Sequence, residues 1–106
     1  MTLEEPKDKI QSQIGVLLYF SGEECGVCHV LRPKFAELFN ERFSQIEQVY
    51  IDAHQNPEIS AYFQVFSVPT MIVFMGGNEF AREGRLVSLH QLSAKLERPY
   101  SMLTGE

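Results

Sequence analysis

The sequence has no tryptophan, only two cysteines and no unbroken apolar run longer than Val16–Phe20. Such a run is far too short to cross a bilayer, which takes about 20 apolar residues. Basic residues are also few, because 9 Lys and Arg stand against 14 Asp and Glu for a net charge of −5. With no basic run present, neither nucleic acid nor an anionic membrane is expected as a partner. The GxSxG, Walker, GxGxxG and HExxH motifs are also absent from the sequence.

The size of the chain fits one folding unit. With 106 residues, 44% of them apolar, it can form a single domain around one hydrophobic core. The N-terminal stretch MTLEEPKDKIQSQIG is polar and lacks the apolar segment of a signal peptide. We therefore expect a cytoplasmic protein, and a monomer. In a reducing cytosol, a lone close pair of cysteines is more often catalytic or metal-binding than structural.

Strand and helix patterns alternate along the chain. Apolar stretches predict three buried strands, at Val16–Phe20, Ile46–Ala53 and Met71–Met75. Gly76-Gly77 is a two-residue hairpin signal, which predicts a return strand from Asn78 to about Gly84 at the sheet edge. The phenylalanines of these patterns are assigned to the core, namely Phe35, Phe39, Phe63, Phe66 and Phe74.

Capping boxes mark the first and last helices. The first box begins at Thr2 and opens a short helix that should end near Gly15. The second begins at Ser88, and its helix should end near Arg98 because Pro99 follows. We therefore assign residues 1–99 to one domain and residues 100–106 to a C-terminal tail.

Two more helices lie between the predicted strands. The one after the cysteines has apolar residues at three- and four-residue spacing, namely Cys28, Leu31, Phe35, Leu38 and Phe39. Pro33 lies inside this pattern and should bend the helix. Asn56-Pro57-Glu58 is a helix start, with Asn at the cap and Pro at the first helical position. The whole order predicts an α/β fold: a mixed four-stranded sheet, made of a parallel pair plus a C-terminal antiparallel hairpin, with helices on both faces.

The two cysteines, Cys25 and Cys28, fall where a strand ends and a helix begins. Unpaired N–H groups and a partial positive charge at a helix N-terminus stabilise a thiolate, the reactive form of cysteine. Cys25 should be exposed and attack, while Cys28 should be shielded one turn further in and resolve the mixed disulfide. Gly26 would let the backbone bend between them. Half of a zinc site and an inert pair remain as alternatives, although zinc would need two further ligands from His29, His54, His90 and the acids.

In this setting the chain resembles the thioredoxin family. The matching features are the strand before Cys25-Gly26-Val27-Cys28, Pro33 five residues later, and Val68-Pro69-Thr70 ahead of an apolar strand, and the likeness covers roughly residues 14–97. The resemblance implies a thiol–disulfide oxidoreductase with a cis Pro69 beside the cysteines. The backbone of Val68 would pair with the substrate chain, with Gly26 and Val27 also contacting substrate. The family's first strand is expected to be missing or reduced.

Three departures from the family pattern bear on activity. Glu24 occupies the position of the tryptophan common in thioredoxins and should oppose the Cys25 thiolate, whereas a protonated His29 would favour it. Tyr19 stands where the family buries an Asp, and Gln48 where its partner Lys would be. Tyr19 is read as a core residue. Without the Asp, water, Glu24 or His29 would have to take the proton of Cys28.

The resemblance also implies partners and a cofactor state. Protein or small-molecule disulfides are the expected substrates, and electrons would come from a thioredoxin-reductase-like flavoenzyme or a thiol pool. No bound cofactor and no metal are expected. The alternative function is a thioredoxin-like redox sensor or binding module, in which the cysteine pair changes partner affinity with little turnover.

Overall fold

The computed structural model describes residues 1–105 and contains a four-stranded mixed sheet with the order β2-β1-β3-β4. The elements in chain order are α1 (Glu4–Ser12), β1 (Gly15–Ser21), α2 (Gly26–Arg42), β2 (Ile46–Asp52), α3 (Pro57–Tyr62), β3 (Thr70–Met75), β4 (Asn78–Glu83) and α4 (Leu89–Thr104). Strand β1 pairs parallel with β2 and antiparallel with β3, and β3 pairs antiparallel with β4. The predicted fold class and sheet are confirmed.

Each face of the sheet carries its own hydrophobic cluster. Alternate residues of β1 and β3, among them Leu17 and Met71, pack on one face against α2 and α4. The residues between them, such as Leu18 and Ile72, pack on the other face against α1 and α3. Both central strands are therefore buried on two sides, which is why their sequences are continuously apolar rather than alternating.

The hairpin between β3 and β4 forms where the sequence predicts it. Gly76 and Gly77 adopt φ values of 59° and 83°, a left-handed conformation that glycine adopts without steric cost. Met75 pairs with Asn78 across the turn, and β4 lies at the edge of the sheet with most of its residues exposed. The antiparallel register shifts between Val73 and Phe74, the signature of a β-bulge.

The capping prediction holds at one end of the chain and is wrong at the other. The Ser88 hydroxyl accepts a hydrogen bond from the backbone N–H of Gln91 at 3.2 Å and caps α4. At α1, the cap position is occupied by Leu3, whose side chain has no acceptor, so the Thr2 box does not form. The helix itself forms because Pro6 and Ile10 are buried against the sheet, so tertiary packing compensates for the missing cap.

The predicted end of the last helix is also wrong. Helix α4 continues through Pro99 to Thr104, and Gly105 ends it in a left-handed conformation with φ 77°. Tyr100, placed in a tail by the sequence, is 4% exposed and its ring lies 5.1 Å from that of Phe43. The burial of Tyr100 offsets the hydrogen bond that Pro99 removes. The rest of the predicted tail ends at Glu106, which lies outside the described residues.

Two further expectations, the burial of the phenylalanines and the cap at Asn56, are only partly confirmed. Four of the five phenylalanines assigned to the core are buried, but Phe66 is 89% exposed in the loop before β3. Asn56 occupies the cap position of α3, yet its side-chain amide donates to the backbone carbonyl of Asp52 at 2.9 Å instead of accepting from the helix. Pro33 lies within α2, which continues through it, and the bend expected there stays a prediction.

Candidate active site

Cys25 and Cys28 lie at the N-terminus of α2 and are joined by a disulfide, with their Cα atoms 5.3 Å apart. Cys25 is the N-cap residue, in an extended conformation with φ −98° and ψ 97°, and it is half-buried. Cys28 is fully buried among the side chains between α2 and the sheet. Only one sulfur of the pair is therefore accessible to a partner from solvent.

The first turn of α2 directs a hydrogen-bond donor at the accessible sulfur. The backbone N–H of Cys28 donates to Cys25 Sγ at 3.2 Å. The same sulfur lies at the positive end of a 17-residue helix. Both effects favour a thiolate at Cys25 once the disulfide is reduced.

A cavity of about 330 Å³ opens beside Cys25. Its walls come from three separate segments: the β1–α2 loop, the β2–α3 loop and the residue before Pro69. The lining residues are Gly22, Glu23, Glu24, Cys25, Asp52, His54, Gln55 and Val68. Three of the lining residues are acidic, namely Glu23, Glu24 and Asp52.

Asp52, the last residue of β2, and His54, an exposed residue, both line this cavity. The Asp52 carboxylate accepts from the backbone N–H groups of His54 and Gln55, both at 3.0 Å, and so fixes the loop. The His54 ring packs against Gly22, where a Cβ would come within 3.2 Å of the ring. The signal for Asp52 was its place at the end of β2, at the same sheet edge as the cysteines.

The peptide bond between Val68 and Pro69 is cis, as the family resemblance implies. Pro69 is buried, and half-buried Val68 lines the Cys25 cavity on one side. On the other side the two residues border a second groove, of about 450 Å³, shared with the loop that precedes α4. Thr70 holds the segment by donating its hydroxyl to the carbonyl of Ser67 at 2.7 Å.

Gly26 and Val27, two of the predicted substrate contacts, lie between the cysteines in the first turn of α2. Gly26 is the first residue of α2, and within residues 1–105 no heavy atom outside its immediate neighbourhood lies within 4 Å of where its Cβ would be. Gly26 has helical backbone geometry and is not among the positive-φ glycines Gly76, Gly77 and Gly105, so the backbone passes from Cys25 to Cys28 in an ordinary helical turn. Val27 is 38% exposed. A partner can therefore approach this turn closely.

The two candidates for tuning Cys25 lie on different sides of it. Glu24 is exposed and lines the Cys25 cavity. The ring of His29 points away, with its Nε2 donating to the carbonyl of Glu23 at 3.1 Å in a neighbouring groove. His54, rather than His29, is the histidine that shares the cavity with Cys25. The effects of Glu24 and His29 on Cys25 remain predictions.

Tyr19 is fully buried under the pair, in agreement with its reading as a core residue. The pKa of Tyr19 is raised to about 12, mainly because the side chain is buried and also because of Tyr50, while Arg32 offsets part of the rise. Its hydroxyl donates to the backbone carbonyl of Cys28 at 2.7 Å. The side chain of Gln48 is engaged elsewhere, because it accepts from the Tyr50 hydroxyl and donates to Asn40, both at 2.8 Å.

Within residues 1–105, no group of three or more His, Cys, Asp or Glu side chains is arranged to hold a metal ion. This finding does not favour a zinc module, since a structural zinc site takes four ligands. Over the same residues, no helix is long and apolar enough to cross a membrane.

Comparison with known proteins points to a single family. The thioredoxin family model matches residues 1–98. The thioredoxin-like protein YdfQ of Bacillus subtilis is 37% identical over 89 residues, which cover 84% of this chain and 79% of that protein. A bifunctional thioredoxin reductase/thioredoxin of Mycobacterium leprae is 36% identical over 90 residues, covering 81% of this chain and 20% of that protein.

Solved structures agree with the sequence relatives. Thioredoxin 1 from Thermosipho africanus superposes with a TM-score of 0.73 and 30% identity, covering 86% of this chain and 99% of that one. Residues 1–98 of this chain, which the family model matches, include the cysteine pair, the cis Val68–Pro69 bond and all four strands of the sheet.

Proposed function

The chain belongs to the thioredoxin family and is a protein-disulfide oxidoreductase, and we propose that Cys25 is its attacking thiolate and Cys28 its resolving thiol. The observation that carries this assignment is the unequal burial of the two sulfurs. Cys25 is half-buried at the rim of an open cavity, whereas Cys28 is fully buried one helical turn below it. A protein disulfide approaching from solvent meets Cys25 first.

The proposed reaction has two exchange steps. The Cys25 thiolate attacks one sulfur of the substrate disulfide, the substrate S–S bond breaks, and the released thiolate takes a proton from water. Cys28 then loses its proton to solvent, and its thiolate attacks Cys25 Sγ. The mixed disulfide breaks, the second substrate thiolate is released and protonated, and two electrons have passed from the cysteine pair to the substrate.

The segment around Pro69 is the proposed clamp for the substrate chain. Val68 and Cys25 line the same cavity, so a chain bonded to the Val68 backbone would hold its sulfur near Cys25. Gly26 and Val27 follow Cys25 at the exposed start of α2 and would contact that chain from the side of the helix. The short, uncrowded turn at Gly26 supports such an approach.

The proposed source of electrons is a thioredoxin-reductase-like flavoenzyme or a thiol pool, and no bound cofactor is required. The Mycobacterium leprae relative joins a thioredoxin reductase and a thioredoxin in one chain, which supports the first source. A cytoplasmic location, where a pair of cysteines is kept reduced, fits a reductant with no cysteine beyond the pair. We propose that the protein acts there as a monomer.

Insulin reduction with dithiothreitol or a reductase as electron donor tests the role of Cys25, and mixing the reduced protein with insulin without added dithiol tests the role of Cys28. The Cys25→Ser protein should reduce insulin no faster than the donor alone, because the attacking sulfur is gone. The Cys28→Ser protein should attack but fail to resolve, so a mixed disulfide with insulin should accumulate and be visible on a non-reducing gel.

The two serine variants act as matched controls for each other. If Cys25→Ser accumulates the mixed disulfide and Cys28→Ser does not, the roles are reversed and the proposal is wrong. If the wild-type pair exchanges with glutathione but never turns over insulin, generic reduction is excluded and the sensor alternative is favoured.

A further inference from the structure

Tyr19 is hydrogen-bonded to Cys28, the buried cysteine of the pair, whose sulfur is the proposed resolving nucleophile. The Tyr19 ring is packed edge-to-face on Phe35 with centroids 5.6 Å apart, and tilted against Tyr50 at the same distance. The ring is fully buried and closely packed, which restricts its movement and keeps it in this position. From that position its hydroxyl reaches across from β1 to α2 and donates to the Cys28 carbonyl at 2.7 Å.

The bond joins two elements at the residue that carries the resolving sulfur. A backbone carbonyl has two lone pairs, so that of Cys28 can accept from Tyr19 in addition to its bond within the helix. The hydroxyl is a dependable donor because burial holds the pKa of Tyr19 at about 12. At neutral pH the phenol therefore stays protonated and cannot serve as the base for Cys28.

The first half of α2 has one helical hydrogen bond fewer than a regular helix, so a contact from outside the helix can stabilise it. Pro33 has no N–H to donate, so the carbonyl of His29, four residues earlier, loses its helical partner. In the oxidised protein, the disulfide and the bond from Cys28 N–H to Cys25 Sγ fix this turn. During turnover the disulfide is absent, and Cys28 must still present its sulfur to Cys25.

We propose, on the basis of the function proposed above, that Tyr19 is a positioning residue for the resolving step: its hydroxyl anchors the Cys28 turn of α2 to β1 while the disulfide is open. A sulfur held in place attacks its neighbour at a higher effective concentration than one that moves with a loose turn. The anchor therefore speeds closure of the Cys25–Cys28 bond and stabilises the closed form. It leaves the first attack by Cys25 on the substrate unchanged.

The Tyr19→Phe protein tests this role, since it keeps the ring and removes only the hydroxyl. The equilibrium constant for forming the disulfide against glutathione should fall threefold to tenfold. A tenfold fall corresponds to a reduction potential about 30 mV less negative. In single-turnover reaction with a peptide disulfide, the mixed disulfide should accumulate, while the rate of its formation stays within twofold of wild type.

Tyr100→Phe is the matched control. Tyr100 is buried in the same cluster as Tyr19, and its hydroxyl accepts a hydrogen bond from the backbone N–H of Gln45 at 3.1 Å. That hydrogen bond lies away from the cysteines. Tyr100→Phe should therefore lower stability and leave both redox readouts unchanged. If Tyr19→Phe matches wild type and Tyr100→Phe in the glutathione equilibrium and in mixed-disulfide lifetime, the hydroxyl has only a structural role and the proposal fails.

The wild-type protein offers a second test that requires no variant. In NMR spectra, the Tyr19 hydroxyl proton should be protected from solvent exchange in the reduced as well as the oxidised protein. Free exchange in the reduced form would show that the anchor opens with the disulfide and would overturn the proposal. Failure of the proposed function is a separate result, because a wild-type pair that never attacks a disulfide forms no mixed disulfide to resolve.

Discussion

Around the cysteine pair, single side chains decide which groups can carry charge. Where the resembled family buries a carboxylic acid, this chain has a phenol that stays neutral at physiological pH. The site therefore avoids the cost of a buried unpaired carboxylate and lacks the base that such a group supplies. The ionisable groups near the pair line the open cavity beside Cys25, as Glu24 and His54 do, and in the reaction proposed above the Cys28 proton passes to solvent.

The raised pKa of Tyr19 also makes the free energy of unfolding depend on pH in the alkaline range. Its pKa rises from 10.0 in the unfolded chain to about 12 in the fold. Because the folded state favours the protonated phenol, the stabilisation is complete below pH 10 and is lost as the pH rises through 12. The free energy of unfolding should fall by about 1 kcal/mol from Tyr19 alone between pH 9 and pH 11.

Urea unfolding of wild type and Tyr19→Phe across this pH range measures the Tyr19 contribution by difference. The difference between the two proteins should shrink as the pH rises. Tyr62→Phe is the control, because Tyr62 is 53% exposed and its variant should follow the wild-type curve. Parallel curves for wild type and Tyr19→Phe would contradict a strongly buried phenol.

At the scale of the element, two similar sequence signals have different outcomes. Thr2-Leu3-Glu4-Glu5 and Ser88-Leu89-His90-Gln91 both satisfy the capping-box pattern. Only Ser88 caps its helix, because the chain before α1 enters with Leu3 already in helical conformation at φ −61°. A side chain caps a helix only if its residue is the last non-helical residue before the first turn, and the sequence does not fix which residue that is.

Ser88→Ala should therefore lower the free energy of unfolding by about 1 kcal/mol, the usual value of a lost N-cap. Thr2→Ala removes the same type of group from the box that does not form, and should change stability by less than about 0.5 kcal/mol. Denaturant unfolding of both variants at one pH measures the contrast. Equal losses would mean that Thr2 does cap α1 in solution.

At the scale of the whole molecule, the sheet brings the functional segments together at one end of its strands. The β1–α2 turn, the β2–α3 loop and the Pro69 segment are up to 47 residues apart in sequence, from Gly22 to Pro69. They meet because β1 and β2 are parallel and end at the same edge, while β3 is antiparallel and begins there. The far end of the molecule is closed by α4, whose last turns the sequence assigned to a tail.

Tyr100→Ala tests whether those last turns belong to the core. Tyr100 is 4% exposed, packs edge-to-face on Phe43 and bonds the backbone of Gln45, so truncating it should cost about 3–5 kcal/mol. Met102→Ala, in the same helix but 77% exposed, should be nearly neutral. Thermal and urea unfolding compare the two. A small loss for Tyr100→Ala would support the predicted domain end at residue 99.

The local signals in the sequence account for much of the fold. Continuous apolar runs predicted β1 and β3, and Gly76-Gly77 predicted the turn between β3 and β4, because these depend on neighbouring residues alone. Phe66 and Tyr100 were misassigned for a common reason. Whether an aromatic side chain is buried depends on what lies across from it, and that partner is distant in sequence.

The sequence by itself determined the class of chemistry: two cysteines three positions apart at a strand-to-helix junction, with a Val-Pro-Thr segment at the family's distance. Tertiary structure alone decided which side chains surround that pair. It brought His54 and Asp52 into the cavity, turned His29 away, and set the Tyr19 hydroxyl on the Cys28 carbonyl. Backbone signals are local and can be read along the chain, whereas hydrogen bonds between segments exist only once the sheet has fixed their distance and direction.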